Sequence, residues 1–235
     1  MRRPRSKPDL ITSRDNDRLK LVRKLHDRSW RDKLGLFVAE GEDLVAAAAA
    51  AGVDPVDLLV AGEDVAPELL AEVSTLAYAP RIVGVYRRGD LPHGLRPVTV
   101  ALWRVGDPGN LGTLVRSADA FGAAVALSPG CADPTGPKAL RASMGALFRV
   151  PAAGFDEAPG RRVALVPCGG EPLPEVDLAG HVVFVLGAER EGLPAEVLER
   201  CDVRASIPQA GEAESLNVAM AGTVALYERS RRRPG

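Results

Sequence analysis

Short apolar segments alternate with helical segments along most of the 235 residues. The apolar segments are brief and are bounded by Gly, Pro or Asp, whereas the stretches between them carry apolar side chains at helical spacing. This alternation favours an α/β fold with a mostly parallel sheet that helices cover on both faces. Because ligands of such sheets bind beyond the carboxyl ends of the strands, the loops there are the first candidates for a functional site.

The pattern predicts two groups of elements separated by a linker. Residues 87–97, RRGDLPHGLRP, form the linker because they contain two Pro, two Gly and no hydrophobic period. We therefore expect two domains, at 1–93 and 97–235. The first group consists of a basic amphipathic helix over 15–33, strands over 36–39, 56–60 and 82–86, and a helix over 41–51. The second group consists of strands over 98–103, 124–127, 163–166, 182–186 and 203–207 and helices over 111–121, 137–147, 194–200 and 215–230.

The formal net charge of -1 conceals an uneven distribution of charge. Residues 1–33 hold 12 Lys and Arg against 5 Asp, whereas the rest of the chain holds 18 Lys and Arg against 26 acidic residues. A basic N-terminal segment joined to an acidic remainder indicates a protein that contacts a polyanion with its basic end. An ordinary solvated surface helix accounts for the charges of 15–33 equally well.

Cysteine usage and hydropathy exclude several classes of protein. Cys131, Cys168 and Cys201 are odd in number and far apart, with no C-x-x-C, so neither a disulfide framework nor a zinc site is indicated. The longest apolar stretches, 44–51 and 181–188, are too short to span a bilayer, and no signal-peptide pattern follows the N-terminus. We expect a cytoplasmic protein that uses neither a metal nor a membrane.

Two of the predicted loops combine glycine with polar side chains. In Gly106-Asp-Pro-Gly-Asn-Leu-Gly, Asn110 lies near a helix start and Arg116 follows it, which suits phosphate binding. A plain turn with a capping Asn and a surface Arg explains that loop as well. In the second, LGAEREGLP, Gly187 and Gly192 flank Glu189, but Leu193 stands where a P-loop needs Lys, and the chain contains no G-x-G.

The third loop, SIPQAGEAESLN, leads into an Ala-rich helix. Ser215 occupies the position expected of an N-cap, whereas Asn217 would be unusual inside a first turn unless its amide has a partner. A catalytic serine would need a His base, and His26, His93 and His181 lie in none of these loops. The pattern therefore argues against a serine hydrolase.

Taken together, these loops resemble the three motifs of the SpoU (TrmH-type) RNA 2'-O-ribose methyltransferases of the SPOUT superfamily. The N-terminal third resembles the small RNA-binding domain of that family, which is related to a ribosomal-protein fold, and residues 138–151 resemble a further family stretch. In the second domain the matching residues are Asn110, Gly112 and Arg116, then Gly187, Glu189 and Gly192, then Ile207, Pro208, Gly211, Ser215, Leu216 and Asn217.

The resemblance implies an α/β chain in which a small ribosomal-protein-like RNA-binding domain precedes a methyltransferase domain with a C-terminal trefoil knot. It further implies a homodimer with active sites at the subunit interface. The cofactor implied is S-adenosyl-L-methionine, held mainly by backbone groups of the loops. The residues that the resemblance assigns to cofactor binding are Gly170, Gly187, Gly192, Ile207, Gly211 and Leu216.

In the implied reaction a ribose 2'-OH attacks the sulfonium methyl group in line, which yields a 2'-O-methyl ribose and releases S-adenosylhomocysteine. Because the nucleophile is a 2'-OH, the substrate is RNA and not DNA. Arg116 would orient the hydroxyl and stabilise the developing alkoxide, because a free guanidinium stays protonated. Asn110, Glu189, Ser215 and Asn217 would position this arginine and the ribose. The residues expected to contact RNA are Arg14, Asn16, Lys20, Arg23, Lys24 and Arg31.

The target RNA and the activity leave alternatives open. A single ribosomal-protein-like substrate domain favours ribosomal RNA over transfer RNA. A non-catalytic RNA-binding or ribosome-assembly factor could share the fold, although the presence of Asn110, Arg116, Glu189 and Asn217 together argues against it. A small-molecule methyltransferase would have no use for the basic N-terminal segment.

Overall fold

The computed structural model describes residues 10–211 and 215–232. The chain divides into two compact units. The N-terminal unit comprises the residues up to Asp90 together with Thr135–Pro137, and the C-terminal unit comprises Leu91–Pro134 and the chain from Lys138 onward.

The N-terminal unit is built on an antiparallel sheet of three strands in the order β1-β3-β2. Leu19, Val22 and Leu25 of its first helix are fully buried and join the core beneath this sheet. Its strands are β1 (Leu36–Glu40), β2 (Asp57–Val60) and β3 (Ile82–Arg87), and its helices are α1 (Asp17–Leu25), α2 (Arg28–Leu34), α3 (Glu42–Ala50) and α4 (Pro67–Val73).

The single helix expected over 15–33 is wrong, because the chain breaks between α1 and α2. Asp27 caps α2 by accepting a hydrogen bond from the Ser29 N–H at 2.7 Å. Its extended backbone ends the first helix without the Pro or Gly that the sequence analysis sought. Helix α4 was also missed, although Pro67 at its first turn and the following Glu68 are the usual signals of a helix start.

The described part of the C-terminal unit contains a seven-stranded sheet in the order β6-β5-β4-β9-β7-β10-β8. Each neighbouring pair runs parallel, which confirms the expected mostly parallel sheet. Every residue of the central strands β4 and β9 is buried, as expected where helices cover both faces. The strands are β4 (Val98–Leu102), β5 (Ala124–Leu127), β6 (Ala152–Gly154), β7 (Arg161–Leu165), β8 (Glu171–Pro172), β9 (Val182–Leu186) and β10 (Val203–Ser206).

All four of the expected helices in this unit have different ends. Helix α5 begins at Pro108 because Asp107 is its N-cap, and α6 ends early because Met144 adopts a left-handed φ of 50°. Asn217, rather than Ser215, caps α8, since its Oδ1 accepts from the Ala219 and Met220 N–H groups. The helices are α5 (Pro108–Ala120), α6 (Pro137–Ala142), α7 (Ala195–Leu198) and α8 (Val218–Arg231).

Close packing of α5 against α8 sets the positions of their first residues. A Cβ at Gly222 would lie 2.4 Å from the Leu114 Cδ2, so a larger residue there would displace the Leu114 side chain. The Ser117 and Thr223 hydroxyls are 2.7 Å apart across the same contact. The start of α5 is thereby held beside the start of α8, and both starts belong to loops that the sequence singles out.

Candidate functional site

Four adjacent strands of the parallel sheet, β4, β9, β7 and β10, end at one edge of the C-terminal unit. The segments that follow them contain the three loops of interest. The segments that follow β7, β9 and β10 surround a cavity of about 410 Å³, a volume within the range of small-molecule sites. Its apolar wall includes Leu165, Leu186, Ile207, Leu216, Val218 and Ala221.

A chain of side-chain hydrogen bonds joins one residue from each loop. The Asn217 Nδ2 donates to the Asn110 Oδ1 at 3.0 Å, and the Asn110 Nδ2 donates to the Glu189 Oε1 at 3.0 Å. The two amides therefore link the start of α8, the start of α5 and the loop after β9. Glu189 and Asn217 line the cavity, and Ser215 does so as well.

Glu189 is held as a carboxylate by donors that converge on it. Burial raises its pKa, but the hydrogen bond from Asn110 and those from backbone N–H groups outweigh this effect, so that the pKa lies below its ordinary value. The Asp107 N–H donates to Oε1 at 3.2 Å and the Gly106 N–H to Oε2 at 3.4 Å. A residue ionised in this way keeps its orientation and accepts hydrogen bonds at neutral pH.

Asp107 anchors the start of α5 in the same region. Its Oδ2 accepts from the Lys138 Nζ at 3.0 Å and its Oδ1 accepts from the Asn110 N–H at 2.9 Å. These two hydrogen bonds, in that order of size, lower the pKa of Asp107. Asn110 is thus fixed by its backbone as well as by its side chain.

The structure places four of the six expected cofactor residues in the cavity wall, namely Gly187, Gly192, Ile207 and Leu216. Gly187 is required by the loop itself, because a Cβ there would lie 2.2 Å from the Gly192 carbonyl carbon. Gly170 and Gly211 are not among the lining residues.

Gly170 packs behind the wall, against β10. A Cβ there would meet the Ala205 carbonyl carbon at 2.7 Å, and the Ser206 Oγ donates to the Gly170 carbonyl at 3.1 Å. At Gly211, no atom of the residues that the structure describes lies within 4 Å of a Cβ built on it. Their expected contacts with a cofactor stay predictions.

Arg116 is not brought to this cavity within one chain. It follows Asn110 by six residues of α5, which places it about 9 Å further along the helix and about 240° around it. The side chain is exposed and, among the described residues, no hydrogen bond or ion pair partner is found for its guanidinium. The neighbouring helix α8 exposes Met220, Val224 and Tyr227.

Two arginines that the sequence analysis did not consider border a second cavity of about 440 Å³. Arg104 follows β4 and Arg190 follows β9, and the wall formed by Ala188, Glu189 and Arg190 is common to both cavities. The available signal was their place in the loops that follow two parallel strands, where ligands of such sheets bind.

The basic residues of the N-terminal unit divide into surface and structural groups. Arg31 was expected to contact RNA, but it is 4% exposed and its Nη1 donates to the Leu25 and His26 carbonyls, each at 2.8 Å. It ties α2 to the end of α1, so it is withdrawn from the RNA-binding set. The Asn16 side chain caps α1 by accepting from the Arg18 N–H at 2.9 Å.

The other expected RNA contacts lie on the surface near α1. Arg14 forms an ion pair with Glu72, and the Arg23 Nη1 donates to the Arg14 carbonyl at 2.9 Å. Lys20 is exposed and lies 3.6 Å from Asp15. Lys24 lies 4.8 Å from the ring centre of Trp30, an aromatic residue that the sequence analysis passed over, and Lys33 lies 5.0 Å from the same ring.

Within residues 10–211 and 215–232, no three His, Cys, Asp or Glu side chains are grouped so that they could hold a metal ion. None of the helices described there is long and apolar enough to cross a membrane.

Most of the chain matches known protein families. Residues 97–227 match the SpoU rRNA Methylase family and residues 16–86 match the MRM3-like substrate binding domain. The 23S rRNA (guanosine(2553)-2'-O)-methyltransferase RlmP of Bacillus subtilis is 31% identical over 92% of this chain and 97% of its own length.

Two solved structures resemble the chain over nearly its whole length. The AdoMet-bound rRNA methyltransferase from Sinorhizobium meliloti superposes with a TM-score of 0.84 and 31% identity, covering 96% of this chain and 98% of that one. The SpoU methyltransferase AviRb from Streptomyces viridochromogenes, in complex with AdoMet, has a TM-score of 0.82 and 28% identity and covers 92% and 98%. These matches confirm the resemblance that the motifs indicated and the α/β fold class that the alternation of strands and helices predicted, and the chain belongs to the SpoU rRNA methylase family.

Proposed function

We propose that this protein transfers a methyl group from S-adenosyl-L-methionine to a ribose 2'-OH of ribosomal RNA. The observation that carries the proposal is the hydrogen-bonded chain Glu189–Asn110–Asn217, which links the polar residues of three separate motifs and places two of them, Glu189 and Asn217, in the wall of one cavity. RlmP is named a 23S rRNA 2'-O-methyltransferase, and the structure from Sinorhizobium meliloti is named an rRNA methyltransferase. These names support ribosomal RNA as the substrate class.

The cavity fits the cofactor that both superposed structures contain. Its apolar wall suits an adenine ring and a hydrocarbon chain, and Gly187 and Gly192 place backbone polar groups at its edge. When bound, S-adenosyl-L-methionine supplies an electrophilic methyl group. Backbone groups of Gly187, Ile207 and Leu216 would hold it.

The residues of the protein would then activate and align the hydroxyl. An alcohol is a weak nucleophile unless its proton is removed or its developing charge is stabilised. The Arg116 guanidinium would orient the 2'-OH and stabilise the negative charge that develops on it. Ser215 and the ionised Glu189, through Asn110, would fix the position of the ribose.

A homodimer would bring Arg116 to the cavity of a second copy. Met220, Val224 and Tyr227 lie on one face of α8 at helical spacing and are 63%, 38% and 57% exposed, which is unusual for large apolar side chains on a free surface. Arg116 is exposed on α5, which packs against α8. Pairing of this apolar face with its copy would carry Arg116 of one subunit toward the other subunit's site.

Within this proposal, residues 1–93 select the RNA and residues 97–235 methylate it. Arg14, Lys20, Arg23 and Lys24 would contact the phosphate backbone, whose charge dominates RNA affinity. The trefoil knot implied by the family resemblance stays a prediction.

The proposal is tested by binding, transfer and product analysis. S-Adenosyl-L-methionine affinity is measured by calorimetry, and transfer of labelled methyl groups is measured on transcribed 23S rRNA, 16S rRNA and tRNA. A 2'-O-methyl group blocks alkaline cleavage of the adjoining phosphodiester, so the label must appear in alkali-resistant dinucleotides. Label on a base, or cofactor binding with no transfer to any RNA, would contradict the assignment.

A further inference from the structure

The second cavity lies directly beside the one assigned to the cofactor. It is bordered by Arg104, Gly106, Asp107 and Gly130 on one side and by residues 188–191 on the other. Because Glu189 and Arg190 belong to both cavities, a ligand that reaches from one into the other passes these side chains.

The charges that border this cavity are not equivalent. Both oxygens of Glu189 accept hydrogen bonds from the protein, and Asp107 is engaged by Lys138 and by the Asn110 N–H. Glu191 is exposed at the rim. By contrast, no protein acceptor is found among the described residues for the guanidinium of Arg104 or of Arg190. The Glu189 and Asp107 carboxylates thus have donors of their own, and the two guanidinium groups are available to an anion.

Arg104 is held in an uncommon backbone conformation. Its φ is 53°, in the left-handed region that residues with a side chain rarely occupy. Its N–H donates to the Ser128 Oγ at 2.9 Å. The side chain lies against Gly130, where a Cβ would come within 3.3 Å of the Arg104 Cγ and Nε. Such conformations persist where the surroundings impose them, and they are concentrated at functional sites.

We propose that the second cavity binds the phosphate group of RNA that adjoins the methylated ribose, with Arg104 as a positioning residue and Arg190 assisting it. This inference rests on the proposed function. The 2'-OH and the 3'-phosphate are attached to adjacent ribose carbons, so a strand that presents its 2'-OH to the first cavity brings a phosphate beside it. The planar guanidinium fork matches phosphate oxygens and holds them in a defined orientation.

Steady-state kinetics of methyl transfer to transcribed 23S rRNA, 16S rRNA and tRNA test this role. Arg104→Gln keeps most of the side-chain length and removes the charge, and Arg104→Lys keeps the charge without the fork. The matched control is Arg161→Gln. Arg161 is the first residue of β7, at the amino ends of the parallel strands, whereas the cavities lie at their carboxyl ends, and its Nη1 lies 3.3 Å from Asp177.

We expect Arg104→Gln to raise the KM for RNA about tenfold, the usual scale for losing a charged hydrogen bond, with kcat changed by less than about twofold. Arg104→Lys should recover part of the loss, and Arg161→Gln should match the wild type. The slope of RNA affinity against salt should fall by about one unit in Arg104→Gln, because one phosphate contact is lost. Cofactor affinity, measured by calorimetry, should stay unchanged in all three variants.

The failure of this inference can be told apart from failure of the proposed function. If the wild type transfers methyl groups and Arg104→Gln keeps the KM and salt slope of Arg161→Gln, the phosphate site is wrong and the methyltransferase stands. If Arg104→Gln instead weakens cofactor binding, the residue supports the first cavity and the inference is again overturned. A wild type that methylates none of these RNAs overturns both.

Discussion

Asn217 donates a hydrogen bond from its Nδ2 to the Oδ1 of Asn110 at 3.0 Å, across 107 residues of sequence. The same Asn217 side chain caps α8 through its Oδ1. One amide therefore both begins a helix and orients a second amide, whose own Nδ2 is directed at Glu189. These two roles of Asn217 can be separated experimentally.

Asn217→Asp should lower methyl transfer with little loss of stability. The carboxylate can still cap α8, but it cannot donate to Asn110, so the hydrogen-bonded chain to Glu189 is broken. We expect kcat to fall by about tenfold or more, the scale of one hydrogen bond. Asn217→Ala should show the same loss and, in addition, lose about 1 kcal/mol in the free energy of unfolding because the cap is removed. Equal stability losses in the two variants, measured by urea unfolding, would contradict the separation of roles.

The packing of α5 predicts that replacing Gly112 by alanine lowers the stability of the protein. A Cβ there would lie 2.3 Å from the Ala139 carbonyl oxygen and 2.6 Å from the Ala142 Cβ, so Gly112→Ala must push α6 away. We expect a loss of about 1–3 kcal/mol, the range for overpacking a core. Gly211→Ala is the matched control, since no atom of the described residues lies within 4 Å of the added carbon. Urea unfolding of both variants checks the contrast, and a Gly112→Ala protein as stable as the control would show that the helices separate freely.

The sequence predicts which loops carry the polar residues of the candidate site. It does not predict which of these side chains contact one another. Asn110, Glu189 and Asn217 stand out because polar residues follow strands of an α/β pattern, and chain spacing suggested that Arg116 joins them. The α-helix then rotates Arg116 away from Asn110, an outcome set by helix geometry and by which face of α5 packs against α8. The left-handed φ of Arg104 could not be predicted from the residues around it in the sequence. Its contacts are with Ser128 and Gly130, which belong to another loop.

The hydrogen bonds to Glu189 predict a pH dependence of stability. Its pKa in the folded protein lies below the ordinary value of 4.5, because the donors from Asn110 and the backbone outweigh burial. The stabilisation is therefore present above pH 4.5 and is lost as the pH falls through the lower pKa of the folded state. The Tm difference between the wild type and Glu189→Gln should be constant from about pH 7 to 5 and shrink below that. A difference that grows as the pH falls would mean that the pKa is raised instead.

Removing the charge of Arg31 should lower stability, whereas removing the charge of Lys24 should weaken RNA binding. The buried Arg31 holds the turn between α1 and α2 through two backbone carbonyls, so Arg31→Met leaves these acceptors without their donor. We expect a loss of about 1–3 kcal/mol in unfolding, with the salt slope of RNA binding unchanged. Lys24 is exposed over Trp30, and Lys24→Met should leave stability within about 0.5 kcal/mol and reduce the salt slope by about one unit. Urea unfolding and filter binding to transcribed 23S rRNA at several salt concentrations measure the two quantities. A lower salt slope in a fully stable Arg31→Met protein would return Arg31 to the RNA-binding set.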